Sequence, residues 1–191
     1  KGSASSILSA ERTALNFLSH LSGIASATNE MVELISETNT KIVSTRKTTP
    51  NLRVLEKFAV KNGGGINHRF GLYDGILIKD NHLALSKSIS NSISKAKEKC
   101  GHMVNIEVEV DNLEQYKEAL ETETDAILLD NFEIDDLIEA VNLNKKNIVL
   151  EASGKITKGN ILEVAKTGVN LISSGWITHS SPSLDIGLDF S

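Results

Sequence analysis

Short apolar segments rich in β-forming residues recur along the chain from about residue 40. Each ends in polar or charged residues and is followed by a segment with the apolar spacing of a helix. They start roughly 20–35 residues apart, which is the length of a strand, loop and helix unit. The predicted strands are 41–44, 75–78, 104–110, 126–129, 147–150 and 170–173, and the predicted helices are 52–61, 86–99, 112–121, 133–143 and 158–167.

Six successive units of this kind predict an α/β fold with a parallel sheet covered by helices. The pattern allows either an open doubly wound sheet or an α/β barrel. A long helical stretch over 11–37 precedes the first strand. In the last unit, Thr157 is predicted to cap the helix and Gly168 to end it. No Gly-x-Gly-x-x-Gly follows a strand and no Walker-type loop occurs, which counts against dinucleotide and P-loop folds.

Composition narrows the class of protein. The 191 residues are 40% hydrophobic and 24% charged, as in a globular domain with a substantial core. A formal net charge of −5 argues against a nucleic-acid surface, and no apolar run is long enough to cross a bilayer. The single cysteine, Cys100, fits a reducing cytoplasm and is expected at a helix end. The first residue is lysine and not methionine, so we expect a processed or truncated chain. From the charge, the single cysteine and the short apolar runs, we expect it to be cytoplasmic and to bind neither nucleic acid nor membrane.

Polar residues that can carry chemistry follow every predicted strand. The carboxyl ends of parallel strands meet on one face of such folds, so these residues are expected to gather in one bowl. One polar residue at a strand end is ordinary, but recurrence after six strands indicates a site. In order they are Arg46 and Lys47; Lys79, Asp80 and Asn81; Glu109 and Asp111; Asp130 and Asn131; Glu151, Ser153 and Gly154; and Ser174 and Gly175.

The predicted bowl divides by charge into three zones. A basic zone suits a ligand with carboxylates or phosphates, and a carboxylate pair suits a divalent metal or a developing cation. Small residues let backbone N–H groups approach a phosphate. This order indicates an anionic substrate that reacts with a sugar phosphate. The zones are Arg46, Lys47, His68, Arg69 and Lys79; Glu109 and Asp130; and Ser153, Gly154, Ser174 and Gly175.

Longer motifs run along nearly the whole chain, at 11–16, 45–48, 63–65, 67–69, 77–82, 107–110, 129–131, 151–154 and 174–175. In these motifs the chain resembles the quinolinate phosphoribosyltransferase family. The resemblance implies a pentosyltransferase of de novo NAD biosynthesis. Its decarboxylating reaction would convert quinolinate and phosphoribosyl pyrophosphate into nicotinate mononucleotide, pyrophosphate and carbon dioxide.

The resemblance also implies an architecture. It favours an open, incomplete α/β barrel of about six βα units, acting as a homodimer or higher homo-oligomer. The family's N-terminal α/β sandwich domain is mostly absent from this chain, and in the family the partner's copy of that domain helps to cover the site. Residues 1–37 would then be a helical lead-in and junction to that domain, and 38–191 the barrel.

Roles for single residues follow from the resemblance. Lys47, Glu109 and Asp130 would be catalytic, and the two carboxylates would hold Mg²⁺ directly or through water. Quinolinate would be bound by Arg46, Lys47, His68, Arg69 and Lys79, with Arg12 reaching the neighbouring subunit's site. The 5′-phosphate would be held by Ser153, Gly154, Ser174 and Gly175. Trp176 departs from the small residue that many relatives carry, and we expect it to be buried in the core.

Three other functions remain open. Lys79 could form a Schiff base, as in a barrel aldolase, but the arginines and the carboxylate pair would then have no role. A molybdenum-transport accessory family shares the fold, although the intact motifs at 45–48 and 77–82 favour the transferase. The chain could also be a non-catalytic anion-binding module.

Overall fold

A computed structural model describes residues 2–86 and 88–189 and shows a single six-stranded parallel sheet among them. The strands are β1 (Lys41–Val43), β2 (Ile76–Ile78), β3 (Ile106–Val110), β4 (Ala126–Asp130), β5 (Val149–Ser153) and β6 (Leu171–Ser173). The helices are α1 (Ala4–Leu34), α2 (Arg53–Asn62), α3 (Asp80–Ser86), α4 (Ile89–Lys99), α5 (Leu113–Leu120), α6 (Ile134–Leu143), α7 (Ile161–Lys166) and α8 (Trp176–His179).

The sheet curves into an open barrel. Its strand order is β1-β6-β5-β4-β3-β2, and every neighbouring pair is parallel. β1 and β2 are therefore the two outer strands, and a parallel bridge between Val43 and Ile66 brings the segment after α2 against the outer edge of β1. This order confirms the predicted incomplete barrel. It also places the segment with His68 and Arg69 near the opening.

Alternation along the strands sorts apolar and charged residues onto opposite faces. On β3, Ile106, Val108 and Val110 are buried, while Glu107 and Glu109 between them are half-buried. Since side chains two apart in a strand share a face, both glutamates point the same way, into the barrel. The apolar face packs under the helices and forms the core.

The long α1 packs on the outside of the barrel, mainly against α2. Its second half carries the buried stripe, with Ile24 and Met31 fully buried. Gly23 is required here, because a Cβ at this position would lie 2.1 Å from the carbonyl oxygen of Pro182. The predicted helix over 11–37 is thus present, although it begins at residue 4 and ends at residue 34. Within the described residues, no helix is long and apolar enough to span a membrane.

Of the three helix ends that were predicted from single residues, the structure confirms two. The N-cap of α7 is Asn160 rather than the predicted Thr157, whose carbonyl accepts the N–H of Ile161 at 3.1 Å one turn earlier. Gly168, at φ +94°, directly follows the C-cap of α7, as predicted. Cys100 is the C-cap of α4. Residue 87 of the predicted helix 86–99 lies outside the described residues, as do residues 1, 190 and 191.

Candidate active site

A cavity of about 330 Å³ opens at the carboxyl ends of the strands and is called the basic cavity here. All six strands, or the segments that follow them, contribute to it. It brings together eight of the predicted site residues. The lining is Thr45, Arg46, Lys47, His68, Arg69, Leu77, Lys79, Glu109, Leu128, Asp130, Glu151, Ser153 and Ser173.

A second cavity of about 350 Å³ adjoins it and is called the phosphate cavity here. It contains the four residues predicted to hold a phosphate. Five residues line both cavities and form the wall between them: Thr45, Lys47, Asp130, Ser153 and Ser173. The sequence did not single out Lys155 and His179 for this site. The lining is Thr45, Lys47, Asp130, Asn131, Ser153, Gly154, Lys155, Ile156, Ser173, Ser174, Gly175, Trp176 and His179.

The two predicted catalytic carboxylates lie at the ends of neighbouring strands. Glu109 is paired with the ammonium group of Lys79, and Asp130 accepts a hydrogen bond of 2.7 Å from the side-chain amide of Asn131. Carboxylate oxygens at this position can bind a hard divalent cation. The predicted ligand of Lys79 is quinolinate, and that of Glu109 is Mg²⁺. When neither ligand is bound, the two side chains neutralise each other's charge.

Arg53, a residue that the sequence did not single out, joins the two basic loops. Its guanidinium donates to the Thr48 hydroxyl at 3.0 Å, to the Phe70 carbonyl at 2.9 Å and to the Arg46 carbonyl at 3.2 Å. One planar group with several donors can hold several acceptors in fixed positions. Arg53 thus fixes the turn with Arg46 and Lys47 to the segment that follows His68 and Arg69.

Lys57 lies beneath the same segment and is fully buried. Its ammonium group donates to the Ser44 hydroxyl at 2.9 Å and to the His68 carbonyl at 2.7 Å, and it lies 5.1 Å from the ring centre of Phe70. Burial, with the nearby charge of Arg53, lowers the pKa of Lys57 to about 8. In an amphipathic helix this lysine looks like a surface residue, so no sequence pattern indicates its role.

His68 and Glu151 line the floor of the basic cavity, and Glu107, which does not line it, lies beside His68. Its Nε2 lies 2.7 Å from Glu107 Oε2 and 3.9 Å from Glu151 Oε2, and its Nδ1 accepts the backbone N–H of Arg69 at 2.8 Å. Burial disfavours an imidazolium, yet the hydrogen bond with Glu107 and the charge of Glu151 outweigh it and raise the pKa of His68. Burial, and then the charge of Glu107, raises the pKa of Glu151 to about 7.

Arg69 extends from this floor into the basic cavity. One terminal nitrogen donates to the Gly75 carbonyl at 3.1 Å. Its Nε is buried and has no hydrogen-bond partner among the residues that the structure describes. Buried donors are normally satisfied, so this nitrogen is a group that an anionic ligand could bind.

Backbone conformation shapes the phosphate cavity. Gly154 has φ +96°, and a Cβ there would lie 2.3 Å from the side-chain oxygen of Asn131. A Cβ on Gly175 would lie 2.9 Å from Cδ of Lys47. Both glycines therefore keep side-chain atoms out of the space where a phosphate would lie against the backbone.

Two further residues had predicted places outside the cavities: Trp176 in the core and Arg12 in the neighbouring subunit's site. Trp176 was expected to be buried in the core, but it is only half-buried and borders the phosphate cavity. It differs because it opens the short α8 at the cavity edge, with Lys158 Nζ 5.4 Å from its ring centre. Arg12 is exposed on α1 and lines neither cavity.

The fold and the two adjoining cavities define an open α/β-barrel domain with an anion-binding site at its carboxyl-terminal strand ends. A sequence profile of the family described as "Quinolinate phosphoribosyl transferase, C-terminal domain" matches residues 24–189. The chain belongs to this family.

Similar proteins share the sequence and the fold. A probable nicotinate-nucleotide pyrophosphorylase [carboxylating] of Bacillus subtilis is 51% identical over 188 residues, covering 98% of this chain and 65% of that protein. A quinolinate phosphoribosyltransferase [decarboxylating] of Nicotiana tabacum is 39% identical, covering 98% and 58%. The solved nicotinate-nucleotide pyrophosphorylase of Francisella tularensis superposes with a TM-score of 0.92 at 44% identity, covering 95% of this chain and 65% of that one. The chain thus spans less than two thirds of the length of these three relatives.

Proposed function

We propose that the protein containing this chain makes nicotinate mononucleotide, pyrophosphate and carbon dioxide from quinolinate and phosphoribosyl pyrophosphate. One observation carries the proposal: the basic cavity and the phosphate cavity share one wall, which includes Lys47, Asp130 and Ser153. A pyridine dicarboxylate in the first cavity and a ribose 5′-phosphate in the second would meet at that wall. Family membership and the names of the relatives support the same reaction.

The basic cavity would bind quinolinate by charge and by geometry. Arg46, Lys47, Arg69 and Lys79 supply four cations around a ligand that carries two carboxylates. Arginine offers parallel N–H donors that match a carboxylate, while lysine acts as a point charge. The unsatisfied Nε of Arg69 is a donor already oriented for such a ligand. These groups orient the ring nitrogen toward the shared wall, which is catalysis by positioning.

The phosphate cavity would bind the 5′-phosphate of the second substrate. Gly154 and Gly175 leave the backbone open, and Ser153 and Ser174 add hydroxyl groups beside it. Consecutive backbone N–H groups with no Cβ in front of them can surround a phosphate closely. With the phosphate held there, the anomeric carbon would lie toward Asp130 and Glu109.

In the proposed reaction the pyridine nitrogen bonds to the anomeric carbon while the bond from that carbon to pyrophosphate breaks. The ribose becomes cation-like in this step. Glu109 and Asp130 stabilise the positive charge because carboxylates aimed at a developing cation lower its energy. Lys79, which neutralises Glu109 in the unliganded site, is available to bind quinolinate once Glu109 interacts with the ribose side.

Glu109 and Asp130 also fit a magnesium ion, since they offer hard oxygen ligands where pyrophosphate would lie. Bound Mg²⁺ would neutralise the charge of the pyrophosphate leaving group. Lys47, on the shared wall, would add a second positive charge on that side.

Loss of carbon dioxide would follow from the new bond. Once ribosylated, the ring nitrogen is cationic, so the electron pair of the breaking bond to the 2-carboxylate stays on the ring carbon. A proton from water then replaces the carboxylate. The arginines only have to keep the ring in place during this step.

We also propose that the protein is a cytoplasmic homodimer or higher homo-oligomer. Arg12 supports this arrangement, because it is exposed on α1 and away from both cavities of its own chain. It would reach quinolinate in the neighbouring subunit's site. Mixing an Arg12→Ala subunit with a subunit inactivated at Glu109 should restore part of the activity if Arg12 acts across the interface.

The reaction can be tested directly with the full-length protein. Quinolinate, phosphoribosyl pyrophosphate and Mg²⁺ should give nicotinate mononucleotide, separated by chromatography, while nicotinate in place of quinolinate should give far less. Absence of product, or equal turnover of nicotinate, would contradict the proposal.

A further inference from the structure

We infer that Glu56 and Lys57, adjacent residues of α2, are positioning residues of the basic cavity. They hold two parts of its wall in place before any substrate binds: the turn 45–48, called the basic turn here, and the segment 67–70, called the basic segment here. Both side chains are fully buried, and neither lines the basic cavity or the phosphate cavity. The identity of the substrate that uses this arrangement rests on the proposed function, whereas the contacts themselves do not.

The ammonium group of Lys57 lies between the basic turn and the basic segment. It donates to the Ser44 hydroxyl at 2.9 Å and to the His68 carbonyl at 2.7 Å, and it lies 5.1 Å from the ring centre of Phe70. Ser44 directly precedes the basic turn, while His68 and Phe70 flank Arg69 on both sides. An ammonium group has three donors and can hold three groups at once. Lys57 therefore fixes the start of the basic turn and both neighbours of Arg69.

A closed cycle of hydrogen bonds keeps this ammonium group in place. The Ser44 hydroxyl, which accepts from Lys57, donates to Asn67 Oδ1 at 2.9 Å. Asn67 Nδ2 in turn donates to the backbone carbonyl of Lys57 at 3.0 Å. The cycle joins α2, the residue after β1 and the basic segment. Because each of its three members is buried or half-buried and satisfies the next, the cycle favours one arrangement of the three elements.

Glu56 holds the other end of the basic turn. One carboxylate oxygen accepts the backbone N–H of Thr49 at 3.1 Å, and the other lies 2.8 Å from Nε2 of His20 on α1. The residue after the turn is thus tied to both α1 and α2. The turn has a further support, since the Thr178 hydroxyl on α8 donates to the Lys47 carbonyl at 2.7 Å. We therefore expect the turn to depend less on Glu56 than the basic segment depends on Lys57.

The chemistry of the Lys57 position indicates that its donors are what the position uses. Among the described residues, its ammonium group contacts a hydroxyl, a carbonyl and an aromatic ring, all of them uncharged. Burying a cation without an ion pair is costly. An apolar side chain of similar length would fill the same space without that cost, but it would leave the Ser44 hydroxyl and the His68 carbonyl without this donor.

Substitution of Lys57 separates positioning from general support of the fold. Lys57→Met keeps most of the length of the side chain but has no donor. We expect KM for quinolinate to rise about tenfold, while KM for phosphoribosyl pyrophosphate changes by less than about twofold. Lys61→Met, the same substitution at an exposed position of α2, is the matched control and should behave as the wild type. An unchanged KM for quinolinate in folded Lys57→Met, or an equal rise for both substrates, would overturn the inference.

Glu56→Gln is the second variant. Its side-chain oxygen can still accept the Thr49 N–H, so the end of the basic turn stays tied to α2. We expect KM for quinolinate to rise only about twofold to threefold. A larger loss in Glu56→Gln than in Lys57→Met would overturn the assignment of the basic segment to Lys57.

Amide hydrogen exchange of the unliganded full-length protein decides the inference if Lys57→Met does not fold. We expect the backbone N–H groups of Ser44 and Thr49 to exchange slowly without substrate, because both are bonded within the protein. Adding quinolinate should slow them no further. Fast exchange that becomes slow only with quinolinate would show that the substrate orders the turn, and it would overturn the inference. If the protein forms no nicotinate mononucleotide, the proposed function fails, while this exchange still shows whether the turn is held in advance.

Discussion

The two adjoining cavities are built in different ways. The basic cavity consists of long cationic side chains that other side chains hold in place: Arg53 joins the loops, Lys57 holds His68, and His68 holds Arg69. The phosphate cavity depends on backbone conformation, with Gly154 at φ +96° against Asn131. Substitutions in the basic cavity should therefore weaken ligand binding by removing charge or orientation. Substitutions in the phosphate cavity should weaken it by filling the cavity or by straining the backbone.

The largest effect should come from the wall between the cavities. Glu109→Gln removes a charge that is needed in the transition state, so we expect kcat to fall by about 10²–10³-fold with little change in either KM. Glu114→Gln, the same substitution at an exposed position in the first turn of α5, is the matched control and should keep normal turnover. Steady-state kinetics that show a raised KM and normal kcat would assign Glu109 to substrate binding instead.

The next effect concerns charge in the basic cavity. Arg69→Ala removes a guanidinium with an unsatisfied buried donor, and we expect KM for quinolinate to rise about thirtyfold or more. KM for phosphoribosyl pyrophosphate should change much less. Lys61→Ala, an exposed cation at the end of α2, serves as the control for net charge. Equal losses for both substrates would show that the two cavities do not act separately.

Backbone strain in the phosphate cavity should have an intermediate effect. Gly154→Ala puts a Cβ against Asn131 at a positive φ, so we expect a loss of about 2 kcal/mol in the free energy of unfolding. KM for phosphoribosyl pyrophosphate should rise about tenfold, while that for quinolinate should stay nearly constant. Gly159→Ala is the control, because a Cβ there lies 3.6 Å from its nearest neighbour. Denaturant unfolding and kinetics measure the two quantities, and a variant as stable as the wild type would contradict the strain.

The smallest effect should come from Glu151, at the floor of the basic cavity, and it concerns the pH dependence of stability. Since the pKa of Glu151 is raised from 4.5 to about 7, the folded chain binds a proton between these values that the unfolded chain does not. This group therefore stabilises the fold fully below about pH 4.5, and its contribution is lost as the pH rises toward 7. Glu151→Gln should flatten that part of the stability curve, by on the order of 1 kcal/mol. An unchanged pH dependence of unfolding would show that Glu151 is not the group that titrates.

The sequence predicted the order of elements and most residues of both cavities. Recurrent polar residues at strand ends made this possible, because parallel strands bring those ends together whatever their exact register. Glu109 lies near the carboxyl end of β3, so the same rule predicted it in the site. The alternation of β3, however, shows only that Glu107 and Glu109 share a face. It does not show how deep each side chain lies in the barrel or which group each one contacts.

The residues that the sequence missed are the ones that support the site. Glu56 and Lys57 look like the solvent face of a helix, yet both are fully buried. Glu56 accepts from His20 at 2.8 Å, and Lys57 donates to Ser44 and His68. These partners lie on other elements, so local pattern cannot show them. Trp176 was placed wrongly for a related reason, since its size indicated burial but its place at the cavity edge depends on tertiary packing.

The central claim is that a decarboxylated product forms where the two cavities meet. Its most direct test is carbon dioxide release by the full-length protein from quinolinate labelled in the 2-carboxylate. We predict one carbon dioxide for each nicotinate mononucleotide formed, and release only when phosphoribosyl pyrophosphate is present. Release without the second substrate, or nucleotide formation that retains the label, would contradict the account.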